Sequence, residues 1–200
     1  MTSKGILSTV KDRRFFLSGC KSAALLFFVS ATSIALACGY EDPKSAAGQR
    51  AALNLSYPNA LDVLGAVAQA RLDGVLPPTK DFSEAPNFFA YQAVYRLLQR
   101  FGGELGEREE TADFAFTLVL VEPMLWARFA IEDGKLATSV HVSGPQPGDL
   151  VVVSSEAVLR QLVDRRLTVQ RAEGLGLIRI FGEAANLAPL RRLLAVREGG

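Results

Sequence analysis

The chain has 200 residues, 49% of them apolar, with 22 basic and 21 acidic side chains and a net charge of +1. An apolar fraction this high, with no repeat period and few Gly/Pro clusters, excludes a disordered or solenoid chain and fits one compact globular domain. One histidine, two cysteines and two methionines are too few for a His or Cys metal cluster of the usual ligand count, so neither a metal nor any other cofactor is expected.

The first 37 residues carry five cations, Lys4, Lys11, Arg13, Arg14 and Lys21, against Asp12 alone. Arg13-Arg14-Phe15-Phe16-Leu17 precedes an apolar run from Ala23 to Ala37 that closes on Ala35-Leu36-Ala37, the small-x-small pattern of a signal peptidase site. The run is shorter than the roughly 20 residues a membrane-spanning helix needs, and Ser30, Thr32 and Ser33 interrupt it. Residues 1–37 are therefore predicted to be a removed signal peptide, and the expected destination is a bacterial periplasm. Arg13-Arg14 points to twin-arginine translocation; general secretory export is the alternative, because Asp12 and Ser18 replace the Ser and Lys that often flank the pair.

Cys20 leaves with the signal, so Cys38 is the only thiol of the mature chain. Ala35-Leu36-Ala37-Cys38 resembles the box that ends in the lipid-modified cysteine of bacterial lipoproteins, although Ala stands three places before the cysteine and Leu one place late. Cys38 is thus the lipid-anchor candidate and the only expected route to a membrane; the alternative is a soluble protein cut before an incidental cysteine. Without the signal, 17 basic residues face 20 acidic ones, about −3, which leaves no electrostatic footprint for nucleic acid or an anionic membrane.

Residues 38–57, polar and turn-prone at their start, read as a tether or lead-in loop, and 58–200 as a single α+β domain. Leu61, Leu64, Val67, Ala68 and Leu72 recur at helical spacing, with Ser56 as a cap, Pro58 in the first turn and Gly74 at a left-handed stop, which predicts a helix over 58–73. A second helix carries Phe89, Ala93 and Leu97 and ends at Gly102-Gly103, completing a helical part over 58–104. From Asp113 the period changes to two. Phe114 to Val121 and Leu125 to Ile131 read as strands broken at Glu122-Pro123, Asp133-Gly134 as a hairpin turn, and Leu136, Val140 and Val142 as a third strand. Leu150 to Val153 is apolar on both faces and reads as a covered or central strand. Ser154-Ser155-Glu156 starts a helix to about Asp164, a short helix ends at Gly174, Leu177 to Phe181 is a strand, and Ala184 to Leu194 a last helix.

From residue 114 to 194 this order resembles the sterol-carrier-protein-2-like family. The similarity rests on the turn at Asp133-Gly134, on Leu150-Val151-Val152-Val153-Ser154-Ser155 entering a helix with Val158, Leu159 and Leu162, and on Leu177-Ile178-Arg179-Ile180-Phe181-Gly182-Glu183 before a helix with Leu187, Leu190 and Leu194. Where the family has a glycine between its two short helices, this chain has Asp164-Arg165-Arg166, and the two amino-terminal helices have no counterpart. The resemblance implies a mostly antiparallel five-stranded sheet with helices on one side and an apolar ligand, such as a lipid or sterol, held between them. Phe116, Leu118, Phe129, Val140, Val152 and Ile180 are then the candidate ligand-lining residues.

No catalytic constellation is legible. His141 is expected to be an ordinary strand histidine, and Ser154-Ser155 to cap a helix, since the glycines of a nucleophile elbow are missing. Glu107, Glu109, Glu110 and Asp113 do not have the spacing of a calcium loop and read as a solvated run. Gly174-x-Gly176 precedes its strand, the wrong order for a dinucleotide loop, and Trp126 is expected at the core edge. Two functions fit: a non-catalytic exported binder of an apolar small molecule, or an accessory protein docking to a periplasmic partner such as a redox enzyme complex.

Overall fold

The computed structural model describes residues 38–42, 44–78, 88–106 and 115–195. The export segment with Arg13 and Arg14, the acidic run Glu107 to Asp113 and the start of the predicted first strand at Phe114 lie outside the described residues. The element order is α1 Ser45–Ser56, α2 Asp62–Leu72, α3 Phe88–Gly106, β1 Phe116–Leu120, β2 Leu125–Glu132, β3 Lys135–Val140, β4 Leu150–Ser154, α4 Glu156–Val163, α5 Val169–Gly174, β5 Arg179–Phe181 and α6 Ala184–Ala195. No helix among the described residues is long and apolar enough to cross a membrane.

The fold class is α+β, with a five-stranded sheet in the order β3-β2-β1-β4-β5. It is mixed rather than mostly antiparallel: β1–β2, β2–β3 and β4–β5 are antiparallel, but β1–β4 is parallel. The cause is the 141–149 loop. It leaves β3 at the level of Ala127, crosses to the far side of β1 and enters β4 beside Phe116, where β1 itself begins. Every residue of β1 and of β4 is buried, as the two-faced apolar reading of Leu150 to Val153 requires.

Burial on both faces also corrects the expectation of helices on one side. One face, with Phe116, Leu118, Phe129 and Val152, is covered by α3 to α6. The opposite face carries Arg179 and Phe181, and there α2 supplies Asp62 to Arg179 at 2.9 Å while Tyr57, at the end of α1, packs its ring on Phe181 at 5.3 Å.

Among the described residues three helices precede the sheet instead of two. The stretch read as a tether contains α1, whose Ala46 and Leu53 are buried, and Cys38 and Tyr40 join the same core. Its apolar stripe is only those two residues wide, too narrow to register as a period in sequence. The helix α2 begins at Asp62, after a turn through Pro58, and Gly74 has φ +71 as a left-handed stop should. The helix α3 does not end at Gly102-Gly103. It runs on to Gly106, and Gly102 is a contact point within it: a Cβ there would run into Thr138 Oγ1 on β3 and meet Phe129 at 3.1 Å. Asp133 (φ 52) and Gly134 (φ 75) form the predicted turn, both in the left-handed region that a type I′ hairpin needs.

Candidate functional site

The apolar face of the sheet and the helices above it enclose two adjoining spaces. The inner one, about 10 Å³, has Phe116, Leu118 and Val152 as its floor and Leu159 and Ile178 among its walls. Among the described residues Ser154 is the only polar one at it, and its hydroxyl is already committed, donating to Leu177 O at 3.0 Å. The outer space, about 80 Å³, shares Phe101, Leu162, Val169 and Leu194 with the inner one, and Glu104, Arg165 and Thr168 bring polar groups to it. The series is thus apolar at depth and charged at the mouth.

Local sequence explains how these walls are held. Ser155 caps α4 by accepting from Val158 N at 3.2 Å, which aims Leu159 and Leu162 at the sheet. Thr168 caps α5 in the same way through Arg171 N at 3.1 Å and presents Val169 to the interior. Between these helices Arg165 has φ +57. The loop thus takes a left-handed turn, a conformation glycine adopts most readily, with an arginine that lines the mouth.

All six sequence candidates lie on one face, since the register pairs Phe116 with Phe129, Leu118 with Val152 through neighbouring strands, Val152 with Ile180 and Ala127 with Val140. Phe116, Leu118 and Val152 line the inner space. Phe129 does not; it is stacked behind Phe116 with ring centroids 4.7 Å apart and meets Phe101 edge-on at 5.6 Å. Val140 and Ile180 sit half-buried on the edge strands, outside the space. Sequence reasoning missed the helix contributors Phe101, Leu159, Leu162, Val169 and Leu194. Their helical periodicity was visible, but which side of the sheet each helix covers is a tertiary fact.

The opposite face is closed by a polar network. Asp149 accepts from Thr117 Oγ1 at 2.7 Å, from Arg128 Nε at 2.9 Å and Nη2 at 3.1 Å, and from Gln146 N at 3.0 Å. Burial alone would raise its carboxyl, but these hydrogen bonds outweigh it and hold Asp149 below the usual carboxylate range. Glu122, in the β1–β2 turn, is pushed up by burial, and Tyr40, buried and donating to Glu156 Oε2 at 2.8 Å, is held protonated well above the usual phenol range. Burial likewise raises the Cys38 thiol, which is 1% exposed. Trp126 lies at the core edge as expected, packed against the buried cluster.

No protein-family model matches the chain, and no curated protein sequence is similar to it. Among solved structures the chain is similar to a sterol carrier protein 2, at 19% identity and a TM-score of 0.38 over 50% of this chain and 91% of that one. It is also similar to a conserved hypothetical protein, possibly a sterol carrier protein, from Thermus thermophilus, at 19% identity and a TM-score of 0.36 over 50% of this chain and 79% of that one. A third similarity is to the sec-alkylsulfatase Pisa1 from Pseudomonas sp., at 20% identity and a TM-score of 0.34; 42% of this chain corresponds to 13% of the sulfatase, so the chain spans a small part of that enzyme's length. Similarity of this size does not assign the chain to either kind of protein.

Proposed function

We propose that the protein is an exported, non-catalytic carrier of a lipid-like amphiphile, with the chain of the ligand between the sheet and α4 to α6 and its headgroup at the mouth. The observation that carries this is the gradient from a floor of Phe116, Leu118 and Val152 to a rim with Glu104, Arg165 and Thr168. A ligand site is expected to be mostly apolar with a few placed polar groups. At about 10 Å³ the inner space holds roughly one water, so a ligand must part the shared wall of Phe101, Leu162, Val169 and Leu194 to enter. The helix α6 carries Leu194 and contains Pro189, whose missing N–H removes one helical hydrogen bond; it is the element best suited to yield.

The same narrowness supports a second reading, an accessory protein that docks to a periplasmic partner with its interior filled by its own side chains. In both readings residues 1–37 are the signal, and the enclosure of Cys38 in the fold supports an unmodified thiol over a lipid anchor. Native mass spectrometry of the protein recovered from the periplasm tests all of this together. The carrier reading expects a mature chain of unmodified mass beginning at Cys38, with a lipid-sized adduct that organic extraction removes. No adduct, and no uptake of a fluorescent fatty acid by the extracted protein, would sink the carrier and leave the accessory protein. A diacylglyceryl mass on Cys38 would overturn the unmodified thiol.

A further inference from the structure

His141 is remote in sequence from Cys38 and Glu41, and the fold brings the three side chains together away from the apolar space. The sulfur, a carboxylate oxygen and an imidazole nitrogen all lie within 4.8 Å of one another, with His141 Nε2 and Glu41 Oε2 3.5 Å apart. Each is placed by a separate backbone device. Gly39 N donates to Pro123 O at 2.6 Å, and Pro123 lies so close that a Cβ at residue 39 would meet it at 3.1 Å; this pins Cys38 against the β1–β2 turn. Glu41 N and Asp42 N both donate to Cys38 O at 2.9 Å, folding the Glu41 side chain back over the thiol. His141 leaves β3 with φ +66, in the left-handed region where histidine, asparagine and aspartate are the commonest residues after glycine, and its N–H donates to Trp126 O at 2.8 Å. The Tyr91 and His141 rings meet edge-to-face with centroids 6.0 Å apart, and Tyr91 in turn meets Tyr40 with centroids 6.2 Å apart, so one side of the cluster is walled by aromatic rings.

We infer that Cys38, Glu41 and His141 form a binding site for a borderline-soft divalent cation of the zinc type, with three protein ligands and one open position. The donor set decides the class. Calcium and magnesium take oxygen ligands, whereas thiolate, imidazole and carboxylate together are the ligands of zinc. Bond lengths of about 2.0–2.3 Å in a tetrahedron put ligand atoms roughly 3.3–3.8 Å apart, so the 3.5 Å nitrogen–oxygen separation already fits and the sulfur needs only a small side-chain adjustment. The burial follows the same order as ligand softness: the sulfur is enclosed, the imidazole half-buried, and Glu41 exposed beside the open position. Lipid attachment at Cys38 would cap the same sulfur, so the site requires the unmodified mature thiol.

The test is a Zn²⁺ titration of the purified full-length chain against a chromophoric chelator, repeated with Co²⁺ as a spectroscopic stand-in. One metal per chain is expected, with a thiolate-to-cobalt charge-transfer band that is absent in Cys38→Ser. His141→Asn, chosen because asparagine tolerates a positive φ, and Glu41→Gln should each weaken binding by at least the roughly 10–100-fold seen when a group that merely orients a ligand is removed. Cys20→Ser, in the leader, should bind like the parent chain. Should Cys38→Ser fail to fold, the His141 and Glu41 variants still decide the matter, because both positions are at least partly exposed. Equal affinity in the parent and in His141→Asn, a missing charge-transfer band, or no binding at micromolar Zn²⁺ would each overturn the site.

Discussion

The two faces of the sheet use the same strands for opposite ends. On the face toward α3 to α6, packing around Phe116, Leu118 and Val152 is apolar but for Ser154, and space remains. On the other, Thr117 and Arg128 sit on adjacent strands at matched positions and converge on Asp149, so the face is fixed by directional bonds. Apolar contacts are non-directional and can slide or part at modest cost, whereas a buried carboxylate with four donors has one geometry. The difference teaches where the proposed ligand would enter: the face without a polar lock is the one that can part at modest cost. It also explains why the lock lies where it does, since Asp149 ends the 141–149 loop whose crossing makes the β1–β4 pair parallel.

The largest expected effect comes from the open face. Phe116→Ala removes a fully buried ring and its stack on Phe129, and should cost about 3–5 kcal/mol, a large part of the roughly 5–15 kcal/mol available to a domain. The void it leaves is apolar and continuous with the inner space, so a small probe such as benzene should bind and recover part of the lost denaturation midpoint. If benzene does nothing for this variant, the face collapses on itself and is not built to yield.

The locked face should respond differently. Asp149→Asn keeps an acceptor for Thr117 but loses the charge that holds Arg128, and should cost about 2 kcal/mol without creating any probe site. The pH dependence separates it further. Because the folded Asp149 carboxyl lies below its usual value near 3.8, the stability it contributes is complete above that value and is lost as pH falls through the folded one. Glu122 works in the other sense: its raised folded value means that ionisation costs stability, and acid relieves it. Comparing urea midpoints of parent and Asp149→Asn at neutral pH and below pH 4 isolates the Asp149 part, and the gap between them should shrink in acid. A gap that stays constant would mean the lock is held by hydrogen bonding alone.

Much of this contrast is legible in sequence, and what is not has a common cause. The continuous apolar run of β4, the Ser155 cap and the Asp133-Gly134 turn follow from one segment each, and they are where expected. The six candidate residues fall on one face because a period of two separates the faces within each strand and the register between strands aligns them. Errors arise where two segments have to meet. Gly102 reads as a helix stop when its smallness serves an approach to Thr138, and the face covered by α1 and α2 does not follow from their own residues. The Cys38, Glu41 and His141 cluster escapes for the same reason: counting one histidine and one mature thiol cannot show that a carboxylate stands beside them.

The smallest effect is expected at the mouth. Arg165 is exposed, and its side chain lines the outer space together with Glu104 and Thr168, so it can reach a ligand headgroup without touching the apolar chain. Arg165→Gln keeps the same left-handed backbone and removes only the charge. Contacts of exposed charges are worth about 0.2–1 kcal/mol, so a fluorescent fatty acid should bind up to about fivefold more weakly to the variant, and less so as salt is added. An uncharged probe of the same chain length should bind both proteins equally, because its affinity comes from the apolar lining and not from Arg165. Equal binding of the fatty acid to both proteins would place the headgroup elsewhere, and a matching loss with the uncharged probe would show that Arg165 shapes the α4–α5 loop instead of reading the ligand.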